Sequence, residues 1–249
     1  MITDPLFYFF AVPAILIFGI AKGGFGNAIG AVAVPLMALA VSPLQAAAIL
    51  LPILCVMDVF AIRKFWRQWD VTNIVIMLPA GCVGVLVGSL TFSYLNEGHV
   101  RLLIGLLALV FALNFWLKSA GSIQKKPNYI KGTFWSIIGG FTSFGIHSGG
   151  PPVNIYLLPQ KLHPKVFMGT CAMFFWITNY VKLIPYFLLG QLDSQNLQTS
   201  LVLLPLAPIG VGFGYYLHTR VSTAKFYNIF NFFLIITGCK LTYDGVILF

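Results

Sequence analysis

Apolar residues run along this chain in stretches too long for the strands or one-sided helices of a soluble domain. Residues 44–57, 71–96 and 102–117 contain no charged side chain. They form the centres of segments able to cross a hydrocarbon layer about 30 Å thick. Reading apolar runs between polar breaks gives ten segments, at 6–21, 27–41, 44–62, 71–95, 100–117, 132–146, 149–161, 166–189, 197–217 and 226–247. Several have legible starts. Ser42, Pro43 and Gln45 read as a capping box with proline at the first helical position, and Asp70 to Asn73 and Asp193 to Gln195 supply further caps. Segment 6–21 reads as a membrane segment rather than a leader, because Asp4 and Pro5 precede it and no small-residue cleavage site follows before Lys22.

The polar breaks carry a second pattern. Arg63, Lys64 and Arg67, then Lys118, Lys125, Lys126 and Lys131, then Lys161 and Lys165, then Arg220 and Lys225 fall on every second connection, eleven of the fifteen Lys and Arg residues. The positive-inside rule makes that side cytoplasmic and puts both termini on the other side of the membrane. Ten full spans satisfy this parity. So do eight spans with one re-entrant pair, because a hairpin that dips in and returns leaves later loops on their sides.

The two halves of the pattern match each other. Ser42-Pro43 lies over His163-Pro164, Asp58 over Asn179, and Pro79, Gly84 and Gly88 over Pro205, Gly210 and Gly214. An odd number of crossings per unit inverts the second copy relative to the first. The expected fold is thus an all-α polytopic membrane protein with about eight transmembrane helices, short or re-entrant glycine-rich segments, and two inverted repeats. Its organisation is a membrane repeat at 1–120, a basic cytoplasmic linker at 121–131 and a second membrane repeat at 132–249.

Glycine-rich breaks occupy corresponding places in the repeats: Ala21, Lys22, Gly23, Gly24, Phe25, Gly26 and Asn27 in the first, and Phe144, Gly145, Ile146, His147, Ser148, Gly149, Gly150, Pro151 and Pro152 in the second. Irregular backbone is tolerated at membrane depth only where protein or a wet cavity satisfies it, and a half-helix start offers free N–H donors. Paired breaks therefore point to a central site that favours an anion. Lys22 either faces that site or snorkels to the basic face. His147 either binds the anion and carries a proton or is simply hydrogen-bonded in place. Asp58 is a proton-coupling or lysine-pairing carboxylate, or else pairs locally with Arg63 or Lys64. Asn179 and Lys182, on one helical face, are weaker additions to the lining. Lys182 has the same snorkelling alternative.

Composition narrows the function classes. With 59% hydrophobic and 8% charged residues and a mean hydropathy of +0.90, the chain has no surface for a soluble catalytic domain, whose charged share is about 25%. The net charge of +9 would suggest nucleic acid in a soluble protein, but here it reports topology, and no nucleic-acid partner is expected. Cys55, Cys82, Cys171 and Cys239 sit inside apolar segments without metal-ligand spacing. No nucleophile elbow, zinc motif or P-loop is present. Neither an enzyme nor a cofactor is implied. The partners expected are a small anionic substrate and membrane lipid, and the sequence leaves a homodimer open.

The two breaks, each followed by a proline-bearing short segment (Gly30 to Leu36 with Pro35, and Ser148 to Val153 with Pro151 and Pro152), and the later Ser42-Pro43 and His163-Pro164, resemble the TauE/SafE family of sulfite and organosulfonate transporters over nearly the whole chain. The first break departs from the family pattern, reading Gly26-Asn27-Ala28-Ile29-Gly30 where a denser glycine run is expected. The resemblance implies a secondary transporter that moves sulfite or an organosulfonate such as sulfoacetate, often out of the cell, by alternating access. It also makes Lys22, Gly23, Gly24, Gly26, Asn27, His147, Ser148, Gly149 and Gly150 the expected lining. A channel-like anion pore and a non-transporting assembly subunit are the competing classes.

Overall fold

The computed structural model describes residues 1–25, 29–92, 94–117, 124–218 and 223–248. Its elements are α1 (Pro5–Ile20) running into a π-helical turn (Ala21–Phe25), a 3-10 turn (Ile29–Val32) with the short α2 (Ala33–Met37), α3 (Pro43–Lys64), α4 (Val71–Phe92) and α5 (Glu97–Leu117). The second half holds α6 (Tyr129–Ile146), the short α7 (Gly150–Leu157) with a 3-10 turn (Leu158–Gln160), α8 (Pro164–Leu188), α9 (Ser194–Leu203), α10 (Leu206–His218) and α11 (Thr223–Ile247). The protein is an all-α polytopic membrane protein. Among the described residues four helices qualify as spans by length and apolarity, and α9 with α10, bent by 42°, make a fifth if the bent pair is one span.

Caps fix the starts of the helices as the sequence implies. Ser42 Oγ accepts from Gln45 N at 3.2 Å, Asp70 Oδ1 from Asn73 N at 2.7 Å and Asp193 Oδ1 from Asn196 N at 2.8 Å. One detail differs. The Gln45 amide does not serve the capping box but donates across the molecule to Asn196 Oδ1 at 3.1 Å. Its mirror lies at the other face, where Asn73 and Gln160 exchange two hydrogen bonds of 2.9 and 3.1 Å. In both places an Asp-x-x-Asn cap of one half holds an amide of the other.

Packing reproduces the repeat. Asp58 meets Asn179 while Ala61 and Ile62 pack with Ala172, so α3 and α8 run antiparallel through the centre. On the flank α5 and α11 are antiparallel too, with Gly98 beside Leu248 and Gly105 beside Thr242. The remaining long helices pair across halves and run parallel, α4 with α6 and α1 with α10. A two-fold axis perpendicular to the helices gives this pattern, because it reverses each helix onto its copy. Glycine makes the parallel crossings close: a Cβ on Gly84 would lie 2.0 Å from the Ile137 carbonyl oxygen, and one on Gly214 would lie 2.4 Å from that of Ile20. Gly84 and Gly210 with Gly214, matched in the sequence, thus do matching work.

Neither short helix that follows a glycine-rich break is long enough to be a membrane span. At about 1.5 Å per residue, α2 and α7 are far too short. Each is the return arm of a hairpin whose long arm is α1 or α6. The first hairpin begins and ends at one face: Ile2 N donates to Thr199 Oγ1 in the middle of the short α9, and Ala38 O accepts from Arg101 in the second turn of α5. The second begins and ends at the opposite face, where Lys125 N donates to Pro159 O and Gln160 meets Asn73 at the start of α4. A hairpin of this kind occurs in each half. Arg63, Lys64, Lys125, Lys131, Lys161 and Lys165 gather at this second face.

Candidate functional site

The two hairpin tips lie at different depths. Gly23 O, in the first tip, accepts from Lys64 at the far end of α3, while His147, in the second, meets Ala47 O near its beginning. Between these levels, along about 25 Å of α3, the centre of the protein is polar. The apolar shell around it is close-packed, since α3 is buried on nearly all sides from Ala46 to Leu54.

Lys22 and Asp58, both almost fully buried, form an ion pair, and Lys22 also reaches Leu54 O at 3.5 Å. Asp58 Oδ2 accepts from Asn179 Nδ2 at 2.5 Å. The repeat mates thus touch, and of the readings open for Asp58 it is pairing with Lys22, not with Arg63 or Lys64, that occurs. A buried pair is retained in an apolar bundle only when each partner is satisfied, and here both carboxylate oxygens are.

Lys182, 0% exposed, does not snorkel. Its Nζ donates to Ser143 O at 3.0 Å and to Ser143 Oγ at 3.1 Å, and lies 2.7 Å from His147 Nδ1. No carboxylate is among these partners. His147 caps α6 in the left-handed conformation with φ 52°, a place where glycine is usual. Keeping a side chain there costs about 1 kcal/mol, and the ring offsets it through Ala47 O at 2.9 Å and Lys182.

A small cavity lies between these groups, lined by Phe18, Lys22, Leu54, Ser143, His147, Phe175 and Asn179. At about 10 Å³ it has room for one water at most. Phe144 and Tyr186 separate it from a wider vestibule of about 200 Å³ at the face away from the basic residues, which Leu44, Phe92, Leu189 and Gln191 complete. Tyr186 OH donates to Phe144 O at 2.6 Å, and its ring stacks on His147 at 6.2 Å. Toward the basic face, Lys64 bonds Gly23 O at 3.4 Å and sits 3.4 Å over the Tyr215 ring. Gly23-Lys64 and Phe144-Tyr186 are near-equivalent clasps, since Gly23 and Phe144 share the 121-residue offset of Asp58 and Asn179.

A model of the sulfite exporter TauE/SafE family matches residues 11–241. The chain belongs to this family. As a TauE/SafE protein it is a membrane transporter by kinship, in keeping with a buried polar core and the apolar helices around it. No curated protein and no solved structure matches it.

Of the residues expected to line a TauE/SafE site in this chain, Lys22, His147 and Asn179 line one cavity, and Asp58 and Lys182 stand behind them, bonded to Lys22 and Asn179 and to His147. Gly26 and Asn27 lie outside the described residues. Gly23 is used for packing, as a Cβ there would lie 2.3 Å from Val211 O, and Gly24 belongs to the same π turn. Gly149 packs on α6 with its Cβ position 2.6 Å from Gly139 O, and Gly150 opens α7. These glycines are absent from the cavity wall. The second half-helix is also poor in donors, since Pro151 and Pro152 in its first turn have no N–H. The Ser148 hydroxyl is buried and has no hydrogen-bond partner in the described structure. Sequence reasoning passed over Ser143 and Tyr186, and gave Phe144 a place in the break but no role. Extending the 121-residue register from Asp58 and Asn179 back to Lys22 finds Ser143 at once.

Proposed function

We propose that this TauE/SafE protein is a secondary transporter that exports a small sulfur-containing anion, sulfite or an organosulfonate such as sulfoacetate, across the bacterial inner membrane. The observation that carries this reading is Lys182, a fully buried ammonium held only by neutral acceptors beside a small cavity. An uncompensated cation at such depth is costly, and an anion entering the cavity supplies its missing partner. Ser143 and His147, which hold Lys182, line that cavity together with Lys22, Asn179 and the apolar Phe18, Leu54 and Phe175.

Alternating access fits the two seals. Opening the Tyr186–Phe144 clasp joins the cavity to the vestibule, and opening the Lys64–Gly23 clasp joins it to the basic, cytoplasmic face. Residues 1–120 and 132–249 act as the inverted repeats, 121–131 as the cytoplasmic linker, and both termini are periplasmic. Because α1 packs on α10 and α6 on α4, the moving bodies are these mixed pairs against α3 and α8 rather than whole halves. Drive comes from the anion gradient or from protons, with Asp58 and His147 the groups placed to accept one. Seals toward both faces favour a carrier over a pore.

Counterflow in proteoliposomes tests this. Vesicles preloaded with sulfite should take up labelled sulfite faster than empty ones, with saturation. Flux that neither saturates nor responds to sulfite on the far side would assign a pore instead, and no flux from well-folded protein an assembly subunit.

A further inference from the structure

The hydrogen-bond geometry assigns a charge to the polar core. Lys22 and Asp58 cancel as a pair. His147 Nε2 faces the carbonyl oxygen of Ala47 and therefore carries a hydrogen, which leaves Nδ1 of a neutral ring to accept from Lys182. Three acceptors, Ser143 O, Ser143 Oγ and His147 Nδ1, match the three hydrogens of the Lys182 ammonium. The other titratable groups packed around the core add no charge. Cys55 on α3 is a buried free thiol, and Tyr186 on α8 donates its phenolic hydrogen to Phe144 O. Lys64 lies beyond the first hairpin tip, on Gly23 O and the Tyr215 ring.

Resting on the central anion site proposed above, we infer that the core is matched to a singly charged anion, with Asp58 as the residue that sets this charge selectivity. A monoanion such as a sulfonate or hydrogensulfite leaves the loaded core neutral. A dianion such as sulfate leaves one net negative charge in a cavity without bulk water, next to the Asp58 carboxylate. Asp58 thus has a role beyond holding Lys22: it spends one of the two buried cations, so that a single positive charge faces the ligand. Its second oxygen fixes Asn179, which puts the amide on the cavity wall.

The test is isothermal titration of the full chain in detergent with methanesulfonate, sulfate and sulfite at one pH and constant ionic strength. Methanesulfonate should bind at least about tenfold more tightly than sulfate. Asp58→Asn, which keeps the shape and removes the charge, should move the ratio toward sulfate by about tenfold or more. Sulfate binding as tightly as methanesulfonate to the wild type would overturn the inference while leaving the anion site standing, and so would an unchanged ratio in folded Asp58→Asn. If that variant does not fold, the wild-type ratio alone decides. Binding of none of the three anions would remove the central site itself, and the inference with it.

Discussion

The two hairpins of this TauE/SafE protein share a scaffold and differ in chemistry. Both tips offer a carbonyl to a side chain at the end of the central helix of their own half, Gly23 to Lys64 and Phe144 to Tyr186. Both long arms cross the other half's helix on glycines. The charges, however, are arranged differently. In the first hairpin Lys22 comes from the tip and meets a carboxylate on α3; in the second, Lys182 comes from α8 and meets the neutral Ser143 and His147 of the tip. Duplication repeats what packing requires. On the proposed transport reading, the divergence that leaves one buried cation without a carboxylate turns the scaffold into an anion site.

Substitutions can break this comparison at several levels. The largest effect is expected in the first hairpin, where Asp58→Ala strands Lys22 in the core and should destabilise by about 3–5 kcal/mol, read as a loss of folded protein in denaturation of the detergent-solubilised chain. Removing the hydrogen-bonding mate, Asn179→Ala, should cost only about 1–2 kcal/mol in the same assay. In the second hairpin the balance reverses. Lys182→Met removes an uncompensated cation, so methanesulfonate affinity should fall by about thirtyfold or more while the protein stays folded; equal loss of stability in the Asp58 and Lys182 variants would abolish the distinction between the hairpins.

Gly84→Ala pushes a methyl onto the Ile137 carbonyl and should cost about 1–3 kcal/mol. Gly212→Ala on α10, where a Cβ meets nothing within 4 Å, should change stability by less than about 0.5 kcal/mol. His147→Gly separates backbone from ring. Glycine suits the left-handed cap, so the turn survives, yet anion affinity should drop about tenfold for want of the imidazole that orients Lys182. An unchanged affinity in titration calorimetry would assign His147 to structure alone.

Much of the fold was legible because membrane segments announce themselves locally. Runs of apolar residues, the Asp-x-x-Asn caps at Asp70 and Asp193, and the glycines at 84, 210 and 214 depend on neighbours within a helix turn or on a crossing that only glycine permits. The breaks were legible too, as interruptions. What they do was not, because glycine at an irregular turn signals ligand approach and close helix packing alike, and here Gly23 and Gly149 pack. Nor could local spacing choose a partner for Asp58: Arg63 and Lys64 are near in sequence, and Lys22, 36 residues away, is near only after α1 docks on α3. The positions of Ser143 and Tyr186 became meaningful once the register of the repeats was extended beyond the residues that first revealed it.

The account stands on where the anion sits. Crystals grown with bromomethanesulfonate would answer this through the anomalous signal of bromine. The expected result is a single bound anion between the hairpin tips, with sulfonate oxygens within about 3 Å of Lys182 Nζ and the wall formed by His147 and Asn179. Bromine density confined to the vestibule beyond Phe144 and Tyr186, with Lys182 still bonded only to Ser143 and His147, would contradict it.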